Sequence, residues 1–182
     1  MLPFADQSVD VVFANLLLPW LNDPDRAASE ISRILREDGL FAFATLGPDS
    51  LLEIRNAWVG VDDCSHVNRF LDMHDVGDLM VRAGLRDPVL DVDRLTVNYA
   101  DAGALFRDLT AAGARNSLLH RNRSLVGKQH FATMRGRLES TASGGRISLD
   151  LELVYGHCWG GQPAVAKGAV RIDAAAIPVR GR

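Results

Sequence analysis

Val9-Asp10-Val11-Val12-Phe13-Ala14, then Asp23-Pro24 with Ala27, Ile31, Ile34 and Leu35 behind it, then Leu40-Phe41-Ala42-Phe43-Ala44-Thr45: these three pieces of the chain decide its fold. The first and last are short, rich in β-branched and aromatic residues and almost continuously apolar, as expected of parallel strands covered on both faces. Asp23 can cap a helix whose first residue is Pro24, and the apolar residues that follow fall at helical spacing, with Gly39 expected to end it. Strand, helix and strand joined by loops this short form a βαβ unit with a right-handed crossover, so the chain is α/β with a parallel sheet.

Downstream of this unit, Gly47-Pro48 breaks the second strand, and Asp49 or Ser50 can cap a short amphipathic helix carrying Leu51, Leu52, Ile54 and Ala57. Residues 62–68 are polar and read as a loop. Asp72 caps a further helix in which Val76, Leu79, Met80 and Ala83 share a face, and Gly84 closes it. Residues 88–99 read as a strand, 102–112 and 128–139 as helices, and Gly144-Gly145 as a turn. Over 147–159, Ile147, Leu149, Leu151, Leu153 and Tyr155 alternate with Ser148, Asp150 and Glu152, the period of a half-buried antiparallel strand at a sheet edge. The tail, 161–182, has no periodicity beyond a short strand at 169–172 and is expected to be poorly ordered.

A chain of 182 residues with 47% apolar and 24% charged residues suits one folded domain and excludes a disordered composition. Its longest apolar run, 11–18, falls far short of the roughly 20 residues of a membrane helix, and no signal peptide opens the chain, so a cytoplasmic protein is expected. Cys64 and Cys158 lack metal or disulfide spacing and read as two buried thiols. His66 and His74 with Asp72 and Asp75 could be drawn as a metal cluster, but positions this near a helix start are explained by capping, and no metal is expected. Glu53 and Arg55 read as solvated charges.

Charge is divided unevenly along the chain. Residues 1–106 carry 8 basic and 18 acidic side chains, a net of −10, whereas 107–137 carry Arg107, Arg115, Arg121, Arg123, Lys128, Arg135 and Arg137 against Asp108 alone, a net of +6. The basic stretch is either a solvated helical face or the footprint of an acidic partner. Nucleic acid is disfavoured, because Phe131 is the one aromatic residue in the stretch that could stack a base.

Leu2-Pro3-Phe4-Ala5-Asp6-Gln7-Ser8-Val9-Asp10-Val11-Val12 resembles the stretch leading into the fourth strand of many small-molecule methyltransferases. Asn15-Leu16-Leu17-Leu18-Pro19-Trp20, Arg33-Ile34-Leu35-Arg36-Glu37-Asp38-Gly39, Asp72-Met73-His74-Asp75-Val76-Gly77-Asp78-Leu79, Leu95-Thr96-Val97-Asn98-Tyr99 and Gly113-Ala114-Arg115-Asn116 look more narrowly like the malonyl-acyl-carrier-protein O-methyltransferases of biotin synthesis. The resemblance covers residues 2–160 and implies the C-terminal part of a Rossmann-like methyltransferase sheet, mainly parallel with an antiparallel last strand, under a small lid of helices at about 49–70 and 101–140. It also implies S-adenosylmethionine as cofactor, Asn15 and Leu16 beside its methionine end, Leu18 and Trp20 shaping the acceptor channel, and an acidic malonyl-loaded acyl-carrier protein as partner. Arg115 or Arg121 would then meet the free acid end of the substrate. The glycine-rich strand-turn-helix and the acidic ribose ligand that such enzymes use are not found in residues 1–182, so weak cofactor binding and association through an exposed sheet edge are expected of this chain. The same motifs are similar to a sister group of respiratory complex I assembly factors, one of them regarded as an arginine hydroxylase, and a non-catalytic binding protein retaining the fold is the third alternative.

Overall fold

A computed structural model describes residues 1–114 and 127–161. The strand β1 (Val9–Asn15) leads through a single 3₁₀ turn at Leu18–Trp20 into the helix α1 (Pro24–Ile34), and β2 (Leu35–Leu46) then pairs parallel to β1. The Asp23 carboxylate accepts the Arg26 N–H at 2.9 Å and Pro24 occupies the first helical position, so the cap reads as its sequence requires. Gly39 does not end this helix. The backbone leaves helical geometry at Leu35, and Asp38 at φ 60° bends the start of β2, with Gly39 inside the strand close to the Asp10 carbonyl. Helical spacing at Leu35 was thus overridden by pairing of Leu35 with Val9.

The remaining elements are α2 (Leu52–Trp58), α3 (Met73–Arg82), β3 (Arg86–Tyr99), α4 (Ala102–Ala111), α5 (Lys128–Ser140) and β4 (Ile147–Trp159). Asp72 and Asp101 cap α3 and α4 by accepting the N–H groups of Asp75 and Ala104. Neither Asp49 nor Ser50 caps α2. Leu51 stands at that position with φ 59°, because Asp49 and Ser50 are committed to β4. The sheet order is β1-β2-β4-β3, so β4 is a central strand rather than the expected edge strand. It runs antiparallel to both neighbours, and β1, β2 and β3 all run the other way. Alternation of polar and apolar residues reported one dry face, and an edge position does not follow from that.

One face of the sheet is dry. Val12 and Ala14, Phe41 and Phe43, Cys158 and Leu90 project to it and pack against Ala28 and Ile31 of α1 and Val76, Leu79 and Met80 of α3. The opposite face, along the rows Phe13-Ala42-His157-Val89 and Val11-Leu40-Trp159, has no helix over it among the described residues, and Val11 and Phe13 are 58% and 71% exposed. The expectation of strands covered on both faces is met on one side only.

Past the last β2–β4 pair, Leu46 with Leu153, the β3–β4 ribbon continues over residues 147–152, overhanging the carboxyl ends of β1 and β2. A second apolar cluster forms there: Ile54 and Trp58 of α2, Leu105 of α4, and Met134 and Leu138 of α5 close on Ile147 and Leu149 of β4. The Tyr99 hydroxyl donates to Asp108 at 2.8 Å, tying the ribbon to α4, and burial together with this carboxylate pushes the phenol up to about 12. Residues 161–182, apart from Gly161, and their expected strand lie outside the described residues.

Phe43 lies across Gly156, where an added Cβ would overlap its ring, and Phe43 in turn stacks on Phe41 at 5.1 Å. Gly156→Ala is therefore expected to destabilise the fold by about 1–3 kcal/mol, read as a lower urea midpoint with an unchanged slope. A midpoint equal to that of the unaltered chain would show that Phe43 repacks freely.

Candidate functional site

In open α/β sheets, ligands bind beyond the carboxyl ends of strands. Here β1 ends at Asn15, and Leu16 follows in the left-handed region at φ 52°, its N–H donating to the Ala44 carbonyl at 2.8 Å. A bulky residue held there costs about 1–3 kcal/mol and persists only where its surroundings enforce it. The Asn15 side chain is exposed and makes no hydrogen bond among the described residues. Leu18 and Pro19 then turn back over the end of β2.

The exit of β2 is fastened from the other side. Gly47 N–H donates to the Glu152 carbonyl at 2.8 Å, Ser50 exchanges two hydrogen bonds with the Glu152 backbone, and Asp49 N–H donates to the Glu152 carboxylate at 2.9 Å. A Cβ at position 47 would meet the Glu152 side chain and displace it from Asp49 N–H. The third wall is the loop before α3. Buried Asn68 donates through Nδ2 to the Pro19 carbonyl at 3.0 Å, and Arg55 of α2 donates to the Asn68 carbonyl at 3.3 Å.

Between these walls lies a pocket of about 120 Å³ lined by Leu18, Pro19, Leu46, Phe70 and Leu71, with Thr45 and Arg69 as its polar members. It contains no aspartate, glutamate, histidine or cysteine in its lining. A larger apolar groove of about 620 Å³ follows the open side of β1, from Phe4 past Val11 and Phe13 to Ile31 of α1. Leu18 borders both spaces. We locate the site in the smaller one, because the groove lies along the open strand rather than at the strand ends.

Sequence reasoning therefore finds Asn15, Leu16, Leu18 and Trp20 together at one strand end. Leu18 lines the pocket, whereas Trp20 is half-buried in the 3₁₀ turn and Asn15 and Leu16 face away from it toward the end of β1. Arg115 and Arg121 lie outside the described residues. Thr45, Asn68 and Arg69 were missed. No local signal in the sequence marks them: Arg69 follows the polar residues 62–68 and reads as part of that loop. Glu53 and Arg55 are not freely solvated as expected: one Glu53 carboxylate oxygen is buried without a partner, and Arg55 is engaged with Asn68.

His66 has a local role. Its Nε2 lies 2.8 Å from Asp62 and its ring stacks on Trp58 at 3.5 Å, while Asp72 is occupied as a helix cap. Cys158 is buried, which pushes its thiol up to about 12, whereas Cys64 is only half-buried, so one of the two thiols expected inside is partly accessible. No helix among the described residues is long and apolar enough to cross a membrane.

Burial acts to raise the Asp62 carboxyl, but hydrogen bonds from His66 and the Cys64 N–H outweigh it and hold the group below its ordinary 3.8. Such a group stabilises the fold at pH values above its unfolded pKa, and the contribution disappears as pH falls through the lower, folded value. The stability gap between this chain and Asp62→Asn should accordingly be full at pH 6 and close below pH 3.8. A gap that widens on acidification in chemical-denaturation series would contradict the assignment. Asn68→Ala should cost about 1–3 kcal/mol, since it leaves the Pro19 carbonyl without its donor; an unchanged midpoint would show that water replaces it.

Residues 1–43 match the family described as "Methyltransferase domain". Over 158 residues the chain is 47% identical to the malonyl-[acyl-carrier protein] O-methyltransferase of Laribacter hongkongensis, covering 87% of this chain and 53% of that protein. Over 171 residues it is 42% identical to the protein of the same name from Gallionella capsiferriformans, covering 94% of this chain and 59% of the relative. The chain thus spans little more than half the length of these curated relatives. Among solved structures, the YcgJ protein of Bacillus subtilis superposes with a TM-score of 0.57 at 16% identity, over 88% of this chain and 67% of that one. A candidate methyltransferase of Bacillus halodurans C-125 gives 0.58 at 15% identity, over 87% and 67%. The fold is that of the Rossmann-like methyltransferases.

Proposed function

We propose that this chain, a relative of the malonyl-acyl-carrier-protein O-methyltransferases along most of its length, forms the acceptor-side portion of an S-adenosylmethionine-dependent enzyme that esterifies the free carboxyl of a malonyl thioester on acyl-carrier protein. The observation that carries this reading is a strand-end pocket without an acid or base in its lining. A carboxylate is already deprotonated at neutral pH, so its methylation requires positioning and exclusion of water rather than proton removal. An amine or hydroxyl acceptor would call for a base that the lining does not offer.

The residues present suit one wall of a cofactor site. Asn15 offers an unpartnered amide at the end of β1, and the strained backbone at Leu16 fixes where that amide stands. When bound, S-adenosylmethionine supplies a methyl group on a sulfonium. Asn15 and Leu16 would hold its methionine end, and Leu18 would separate that end from the acceptor pocket. The helices that close on the overhanging ribbon serve as a lid, and its basic side chains, Arg107 and Lys128 among the described ones, favour an acidic carrier protein.

The test is methyl-ester formation on malonyl-loaded carrier protein by the complete gene product, followed by mass spectrometry. A methyl ester is expected, with a rate that falls as salt rises; its absence in an enzyme that binds the cofactor would overturn the reading. Asn15→Ala is expected to weaken cofactor affinity about tenfold, the equivalent of one lost hydrogen bond of roughly 1.4 kcal/mol; calorimetry giving equal affinities would remove Asn15 from the site. We also infer that this chain self-associates through the open side of β1, where Val11 and Phe13 are exposed. Light scattering should then report a dimer or larger species that Phe13→Lys converts to monomer, and a monomeric unaltered chain would refute it.

A further inference from the structure

We propose that Arg69, together with the Thr45 hydroxyl, is the carboxylate-recognition pair of the strand-end pocket and selects short acyl chains that end in a free acid. The proposal rests on the methyltransferase reading for the identity of the acyl group, and on the geometry of the pocket for the recognition itself.

Arg69 lines the pocket and makes no hydrogen bond or ion pair among the described residues. Six other arginines of the described chain, Arg33, Arg36, Arg82, Arg86, Arg94 and Arg135, are each paired with a carboxylate. No acidic residue shares the lining with Arg69, so its charge there is uncompensated by the protein. Thr45, 3% exposed at the end of β2, is the other polar side chain of the pocket, and its hydroxyl is likewise without a partner among the described residues. The Arg69 guanidinium offers donors only and the Thr45 hydroxyl can donate as well as accept, so the pair lacks a charged acceptor. A carboxylate supplies that acceptor, with an oxygen for each donor.

The position of Arg69 is prepared in advance. Val67 is buried, Asn68 is anchored to the Pro19 carbonyl, and Arg55 holds the Asn68 carbonyl, so the backbone carrying Arg69 is fixed before a ligand arrives. Size sets the second limit. A space of about 120 Å³ is on the scale of a short acid rather than of a long acyl chain.

The experiment titrates malonyl-pantetheine and its uncharged methyl ester into the chain, into Arg69→Gln and Arg69→Lys, and into Thr45→Val, following backbone amide shifts of residues 45–46 and 68–71. The unaltered chain is expected to bind the acid at least tenfold more tightly than the ester. Arg69→Gln should abolish that preference, Arg69→Lys should keep part of it because the charge remains without the fork, and Thr45→Val should reduce it by severalfold. Because Arg69 is exposed, its variants should keep the melting temperature of the unaltered chain, and Arg69→Lys stands in if Arg69→Gln does not fold. Equal binding of acid and ester, no binding of either, or a preference untouched by both Arg69 variants would overturn the proposal. The outcome is independent of the methyltransferase reading, since binding selectivity can hold where no methyl ester forms, and a methyl ester can form where Arg69 proves irrelevant.

Discussion

The insertion of β4 between β2 and β3 is the constraint on which the rest of this structure depends. A strand arriving from the end of the described chain pairs antiparallel on both sides and thereby closes the gap between two strands that run in the same direction. Backbone pairing of this kind demands close approach, and the sequence meets the demand with glycine at Gly156, beneath the Phe43 ring, and at Gly160, against the backbone of Arg36. The same strand then does two further things. Its Glu152 backbone and carboxylate hold the Gly47–Leu51 turn, and its first residues carry the platform on which α2, α4 and α5 assemble their own apolar cluster.

That arrangement explains why the site lies where it does. The β3–β4 ribbon outlasts β2, so the helices packed on it stand beyond the strand ends rather than on a sheet face. The loop before α3 crosses from this second cluster to the exit of β1 and supplies Arg69 on the way. Two apolar clusters, one against the sheet and one against the ribbon, are therefore linked by a polar seam at Thr45, Ser50 and Asn68, which are the three buried polar residues of the described chain. Buried polar groups are costly unless bonded, and their concentration at one seam marks the place where the structure gives up apolar packing for a function.

The elements themselves were largely legible in the sequence. Caps at Asp23 and Asp72 and the αL glycine at Gly84 speak through local chemistry, and the structure repeats them. What the sequence concealed was relational. Nothing in the alternation over 147–159 distinguishes an edge strand from a central antiparallel one, because both have one dry face; the position of β4 is decided by which neighbours it finds. Leu35 satisfies helical spacing and yet is a strand residue, since its pairing with Val9 outweighs one more helical turn. Asp49 and Ser50 look like caps, but the Ser50 hydroxyl accepts from Glu152 N–H on a strand a hundred residues away and the Asp49 carboxylate accepts from Arg94. For the site, Asn15 and Leu18 could be found from the strand end alone. Arg69 could not, because an arginine in a polar loop carries no mark of the pocket it will line until the loop has been folded across the sheet.

The strengths of the ties around that pocket are unequal, and this sets how it can respond to a ligand. The Gly47–Leu51 turn beyond the end of β2 is held by several hydrogen bonds to one strand, and Leu16 by an enforced left-handed backbone. The Arg69 wall is a loop without regular structure, tied to its surroundings by the bonds of Asn68 and Arg55, each worth about 1 kcal/mol net. Val67 and Phe70 on either side of Asn68 and Arg69 pack into the same apolar cluster as Leu105, Met134 and Leu138. A ligand that bridges Arg69 to Thr45 would join this loop to the end of β2.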